Sequence, residues 1–188
     1  MGRKTVTRVA FFVFLWVLFP VFCSHGGEHI VLYRLGVKDP VPWEQLRTFL
    51  GKKGYRVTEY DGTESIEKHV EHVNKINQLK ASVFLALDFG YGEKKRVVVA
   101  VTTPRKGRGN ILAIDEVPAL HANESRELAT SLAQVFDKGV KEIPLFPVLG
   151  VDMPAVLLKI ACAGGNASEM MEKLHEGLGR YFKRGINK

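Results

Sequence analysis

The chain alternates short apolar, β-branched runs with longer amphipathic stretches, and this alternation limits the folds open to it. Such runs are typical of buried strands. The strand-like runs are HIVLYRL (29–35), YRVTEY (55–60), SVFLALDF (82–89), KRVVVAVTT (95–103), ILAI (111–114), FPVL (146–149) and PAVLLKIA (154–161). Strands separated by helices predict an α/β fold, with a mostly parallel twisted sheet of about six strands and helices on both faces.

Four amphipathic stretches predict the helices. They are DPVPWEQLRTFLGKKG (39–54), TESIEKHVEHVNKINQL (63–79), NESRELATSLAQVF (123–136) and ASEMMEKLHEGLGRYFKRGI (167–186). The apolar stripe of the second is expected to consist of Ile66, Val70, Val73 and Ile76. Thr63 or Ser65 is expected to cap that helix and Asn123 to cap the third. His69 and His72, three residues apart, are expected at the surface.

The N-terminus has the pattern of an export signal. A basic start, MGRKTVTR, precedes the apolar run VAFFVFLWVLFPVF, which is followed by small residues. The run is short for a membrane-spanning helix, which needs about 20 apolar residues. We therefore predict a signal peptide over residues 1–25 and a single domain over residues 26–188. An uncleaved anchor and a lipoprotein attached through Cys23 are the alternatives.

Charge and cysteine content restrict the partners. The formal net charge is +7, and it falls to +4 when Arg3, Lys4 and Arg8 leave with the signal segment; a mildly basic exported domain suits an anionic polymer such as a cell wall. The glycine-rich loop that contains Arg105, Lys106 and Arg108 is a candidate site for anionic glycan or phosphate. With Cys23 in the signal segment, Cys162 has no partner and no disulfide framework is expected. We expect no nucleic-acid partner, and membrane contact only through the N-terminal segment.

Several segments, in order, are similar to those of a known enzyme family. The run DKGVKEIPLFPVLGVDMPAVLLKIA (137–161), the NESRELA segment, the GYRVTEY strand and NQLKASVFLAL carry the likeness. They resemble the zinc-dependent N-acetylmuramoyl-L-alanine amidases, and the resemblance extends over residues 29–188. It implies the amidase-like α/β fold, an exported protein of the periplasm or cell envelope, and peptidoglycan or an envelope protein as the partner.

The same resemblance places Gly36, Asp88 and Lys159 at positions where the family has zinc ligands. A catalytic zinc needs three protein ligands and an open position for water. Glycine has no ligand atom, and a protonated lysine cannot coordinate a cation. Without zinc, water is not activated at neutral pH. We therefore expect no cofactor and a non-catalytic domain that binds peptidoglycan or an envelope partner. An active zinc amidase with other ligands and a purely structural envelope protein are the alternatives.

The segment SHGGEH (24–29) offers other metal ligands. His25, Glu28 and His29, together with Asp88, are a weaker alternative set of ligands, because the His-Gly-Gly of this segment precedes the first strand whereas the similar motif of the family follows it. An unstructured mature N-terminus is the simpler interpretation.

The resemblance also predicts a contact. Asp88 and Lys159 stand at the ends of two strands that neighbour the zinc in the family, so we expect a salt bridge between them. Because an unpaired buried charge costs several kcal/mol, we expect that loss of Lys159 clearly destabilises the fold.

Overall fold

The centre of the molecule is a six-stranded sheet with strand order β2-β1-β3-β6-β4-β5. The computed structural model describes residues 27–36, 40–103, 113–163 and 166–186. The strands are β1 (His29–Arg34), β2 (Arg56–Asp61), β3 (Val83–Gly92), β4 (Arg96–Val101), β5 (Val140–Glu142) and β6 (Ala155–Ala163). The pairs β2–β1, β1–β3, β3–β6 and β4–β5 are parallel, and the pair β6–β4 is antiparallel. The predicted mostly parallel sheet is confirmed.

Helices cover both faces of this sheet, as predicted. They are α1 (Pro40–Lys52), α2 (Ile66–Gln78), α3 (Ala122–Val135) and α4 (Ala167–Ile186). Helices α1, α3 and α4 share one hydrophobic core with one face of the sheet. Helix α2 packs on the other face, together with the segment that connects β5 to β6.

Strand alternation explains the two cores. Ile30 and Leu32 of β1 face the three-helix side, whereas Val31 and Tyr33 face α2. Both sets are buried, which accounts for the continuous apolar run in the sequence. Strand β3 is apolar on both faces for the same reason, and it lies inside the sheet between β1 and β6.

Two strand predictions need correction, and one strand was not predicted. The FPVL run contains a short 3-10 helix, Phe146–Val148, because Pro147 cannot donate a ladder hydrogen bond. Ala113 and Ile114 of the ILAI run lie outside any strand, and the first two residues of that run fall outside the described residues. Strand β5 was not predicted, since its three residues are short and largely exposed.

The predicted N-terminal cap of α2 is confirmed, whereas that of α3 is wrong. Ser65 caps α2, as expected, and its hydroxyl accepts a hydrogen bond from the backbone N–H of Lys68. Helix α3 begins at Ala122, so Asn123 lies inside it and is not its cap. The apolar stripe of α2 is also rotated from the expected one, because Ile66 is exposed.

The residues that carry the predictions for the N-terminus lie outside the described residues. These are the signal peptide over residues 1–25, the alternative anchor and Cys23. In the part of the chain that the structure does describe, no helix combines the length and apolar character needed to cross a membrane. Cys162 is a free, buried thiol, and burial raises its pKa above the usual value.

Candidate functional site

Asp88 and Lys159 meet in the middle of β3 and β6, not at the strand ends as expected, at the level where the neighbouring strand β1 ends. They are register partners in the parallel pair β3 and β6. Both lie at alternate positions from Ala86 and Leu157, so their side chains project from the face that carries α2. The Nζ of Lys159 donates a hydrogen bond to Oδ2 of Asp88 at 2.6 Å. The predicted salt bridge is therefore present.

Gly36 lies against the same carboxylate. The backbone N–H of Leu35 donates to the carbonyl oxygen of Leu87 at 2.8 Å, which continues the pairing of β1 with β3 past the end of β1. Gly36 follows with a φ of +72°, which side chains disfavour. A Cβ at this position would lie only 2.3 Å from Oδ1 of Asp88. Glycine is needed here both for backbone conformation and for close approach of the carboxylate.

The three positions line one shallow pocket of about 260 Å³. Gly90, Tyr91 and Ala161 complete much of its wall. The pocket lies over the second halves of β3 and β6, just past the carboxyl end of β1, and α/β folds commonly bind ligands beyond the carboxyl ends of their strands. The fold therefore brings together the three residues that the resemblance places at zinc-ligand positions.

The ion pair is more exposed than we expected. The Lys159 side chain is 47% exposed and that of Asp88 is 27% exposed. Solvent screens such a pair, and exposed pairs contribute about 0–1 kcal/mol. The expectation that loss of Lys159 clearly destabilises the fold rested on a buried charge, and the exposure of the pair removes that reason.

The chemistry of this pocket does not fit a catalytic zinc. Gly36 supplies no ligand atom, and the Lys159 ammonium is itself a cation beside the only carboxylate. Three protein ligands are the minimum for such a site. Across the described ranges, no group of three or more His, Cys, Asp or Glu side chains is arranged to hold a metal ion.

Glu28 and His29 lie at the opposite edge of the sheet from Asp88. The backbone N–H of Ser82 donates to the carbonyl oxygen of His29, and Asp88 follows six residues later in the same direction. That separation is about 20 Å. The structure therefore does not bring these weaker metal candidates together with Asp88, and His25 lies outside the described residues.

The imidazole of His29 is occupied by protein groups. The Arg56 guanidinium donates to Nδ1 at 2.5 Å, so Nε2 carries the proton and donates to Oγ1 of Thr58 at 2.9 Å. Burial, and then the Arg56 charge, lower the pKa of His29. The Glu28 carboxylate accepts a hydrogen bond from the Ser82 hydroxyl at 2.5 Å. These contacts are structural.

The candidate anion-binding residues Arg105, Lys106 and Arg108 lie outside the described residues. Their contribution to a binding surface remains a prediction from the sequence.

A buried polar contact was missed by sequence reasoning. His69 is fully buried, not at the surface as expected. Its Nδ1 lies 3.1 Å from the Tyr33 hydroxyl, and its Nε2 lies 3.0 Å from the carbonyl oxygen of Leu149. The carbonyl can only accept, so Nε2 carries the proton and Tyr33 donates to Nδ1. The spacing of His69 from Val73 and Ile76 was the available signal, since positions i, i+4 and i+7 share one helix face.

Burial sets the titration behaviour of this contact. It lowers the pKa of His69, against a smaller opposing effect of the Leu149 carbonyl, and the nearby His72 lowers it further. Burial also raises the pKa of Tyr33. The contact joins β1, α2 and the segment between β5 and β6, and it is built for a neutral imidazole.

This architecture is the fold of the N-acetylmuramoyl-L-alanine amidases. The crystal structure of the apo form of the N-acetylmuramyl-L-alanine amidase Ami1 from Mycobacterium abscessus superposes with a TM-score of 0.54 at 13% identity, over 84% of this chain and 99% of that one. The N-acetylmuramoyl-L-alanine amidase from Clostridium difficile 630 gives a TM-score of 0.50 at 13% identity, over 87% and 98% of the two chains. No protein-family model matches the chain, and no curated protein matches it in sequence.

Proposed function

We propose that this chain is an exported cell-envelope domain that uses the amidase fold to bind peptidoglycan or an envelope partner, without hydrolysing the wall. The observation that carries the proposal is the chemistry of the pocket lined by Gly36, Asp88 and Lys159. It combines an amidase fold with a glycine, a carboxylate and an ammonium at the three positions that the sequence resemblance assigns to zinc ligands.

The physical reason is the absence of an activated nucleophile. Water attacks an amide at neutral pH when a metal ion lowers the pKa of that water. Gly36 cannot coordinate, and a protonated Lys159 repels a second cation. The φ of Gly36 and its contact with Asp88 further disfavour a ligand side chain at that position. No step of hydrolysis can therefore be assigned to these residues.

Export and envelope location are supported by the basic and apolar N-terminal pattern of residues 1–25. Without Arg3, Lys4 and Arg8 of the signal segment the formal net charge is +4, and this mildly basic balance supports attraction to an anionic polymer. Arg105, Lys106 and Arg108 are the residues most suited to that attraction.

Sedimentation with purified peptidoglycan tests binding. We expect the full chain to sediment with the wall and to be released by high salt, because charge attraction is screened. Replacing Arg105, Lys106 and Arg108 together by serine should weaken retention. Replacing Lys52, Lys53 and Lys183 by serine is the matched control for net charge, and it should weaken retention less.

A dye-release assay on the same walls tests catalysis. We expect no release above background with or without added zinc. Zinc-dependent release would instead support the alternative, an active zinc amidase that hydrolyses the amide between muramic acid and the stem peptide.

A further inference from the structure

We infer that the pocket formed by Gly36, Asp88 and Lys159 binds an α-amino-acid head group, that is, an ammonium and a carboxylate on one carbon. The inference rests on the proposed function for the source of the ligand: a wall peptide with such a head on a side chain, or a free amino acid. The recognition chemistry is the same for both.

The charges of the pocket come as an adjacent pair of opposite sign. Lys159 uses one N–H to bind Oδ2 of Asp88. In the ranges that the structure describes, the hydrogen bond that joins the two side chains uses one Nζ–H of Lys159 and one oxygen of Asp88, while Oδ1 lies beside Gly36. An ammonium has three donors and a carboxylate has about four acceptor positions. Both side chains therefore keep bonding capacity towards the pocket.

A zwitterion matches this pair without breaking it. The ligand's carboxylate can accept a hydrogen bond from Lys159 while its ammonium donates one to Asp88. Each charge of the ligand then lies beside the opposite charge of the protein. A ligand with one charge satisfies one partner and is repelled by the other. The repulsion gives selectivity that attraction alone would not.

The position of the pair is fixed by the backbone around it. Gly36 lets the Asp88 carboxylate approach within 2.3 Å of where a Cβ would be. Gly90 and Ala161 are the register partners two positions beyond Asp88 and Lys159. Because neither has a large side chain, they leave space above the sheet beside the pair. The carboxylate is therefore held in place while the space in front of it stays open.

The size of the pocket favours a head group over a whole sugar chain. Its volume of about 260 Å³ lies below the roughly 300–1,000 Å³ of sites for drug-sized ligands. A small contact of this kind binds weakly, and we expect a Kd on the order of 1 mM for the head group alone.

Titration of the full chain with glycine tests the inference. Amide ¹H–¹⁵N shifts of residues 88–90 and 159–161 should change and saturate. Methylamine and acetate, each with one of the two charges, should bind at least tenfold more weakly. Absence of a saturable change with glycine, or equal binding of acetate, would overturn the inference.

Two substitutions and a control locate the site. Lys159→Met and Asp88→Asn should each weaken glycine binding at least tenfold. Lys53→Met removes a similar exposed pair, with Glu172 at 3.0 Å, outside the pocket, and should leave glycine binding unchanged. Equal loss in the Lys53 variant would overturn the assignment. Thermal melting of each variant establishes that it is folded.

Two further arms identify the source of the ligand. A soluble wall peptide that carries the head group on a side chain should compete with glycine, and its N-acetylated form should not. Competition by both forms would overturn recognition of the head group. If the chain binds glycine but does not sediment with peptidoglycan, wall binding fails and a free amino acid remains the ligand.

Discussion

Lys159 and Asp88 face each other across neighbouring parallel strands, with Nζ and Oδ2 separated by 2.6 Å. The contact lies in the middle of β3 and β6, level with the end of β1, in a pocket that Gly36 also lines. Both partners remain partly exposed, so the pair can meet a ligand as well as each other. This arrangement joins the fold of a wall amidase to a site with the wrong chemistry for zinc.

Replacing Lys159 by methionine should have little effect on stability. Because the pair is exposed, we expect the free energy of unfolding to fall by no more than about 1 kcal/mol. Chemical denaturation measures this change, with Lys53→Met as the control at another exposed pair. A loss of several kcal/mol would show that the charge of Asp88 is effectively buried.

Replacing Gly36 by alanine should destabilise the fold more than replacing Gly54. Both glycines have positive φ, +72° and +92°, and such strain costs about 1–2 kcal/mol for alanine. At Gly54 the added Cβ meets nothing within 4 Å, whereas at Gly36 it meets Asp88. The difference between the two variants, measured by denaturation, isolates the cost of that contact.

The double variant Gly36→Ala/Asp88→Ala provides the control for this comparison. Relative to Asp88→Ala alone, the added Gly36 substitution should cost about as much as Gly54→Ala. An undiminished cost would mean that Asp88 is not the group that limits position 36.

Stability should fall below pH 6.5, in part because of His69. Its pKa is lowered in the folded protein, so the unfolded chain binds more protons between that lowered pKa and the usual 6.5. The free energy of unfolding therefore rises with pH across this window. Acidification through the window lowers it by about 1.4 kcal/mol for each unit of difference between the folded and unfolded pKa values. Denaturation at pH 7.5 and 5.5 should show a smaller difference for His69→Gln than for the wild type. An equal difference would show that His69 does not contribute to the pH dependence of stability.

Much of the fold follows from local pattern. The runs that contain β1, β3 and β6 are apolar on both faces, which indicates interior parallel strands. The grouping of Gly36, Asp88 and Lys159 came from the resemblance to the amidases, in which these positions surround the zinc. The contact between Asp88 and Lys159 could be predicted for that reason.

Other features depend on tertiary packing and left little local trace. The Asp88–Lys159 pair is partly exposed, at 27% and 47% of its two side chains, although both residues lie in interior strands. His69 is buried because Tyr33 and the carbonyl oxygen of Leu149 satisfy both ring nitrogens, and Leu149 is 80 residues away in the sequence. No pattern within one helix encodes such a partner.

Asn77 should anchor the segment between β5 and β6. Its Nδ2 donates to the carbonyl oxygen of Gly150 at 2.9 Å, and its Oδ1 accepts from the N–H of Asp152 at 3.0 Å. Asn77→Ala should therefore lower the free energy of unfolding by about 1–3 kcal/mol. Asn74→Ala, at an exposed position of the same helix, is the matched control. Equal effects in denaturation would show that the two hydrogen bonds add nothing.

Zinc content per chain distinguishes an inert pocket from an enzyme. The full-length protein is incubated with zinc, dialysed against metal-free buffer and analysed for bound metal by mass spectrometry. The chemistry of Gly36, Asp88 and Lys159 predicts a content far below one ion per chain. One tightly held zinc ion per chain, lost when Asp88 is replaced by alanine, would contradict the proposal that this domain binds the wall without cutting it.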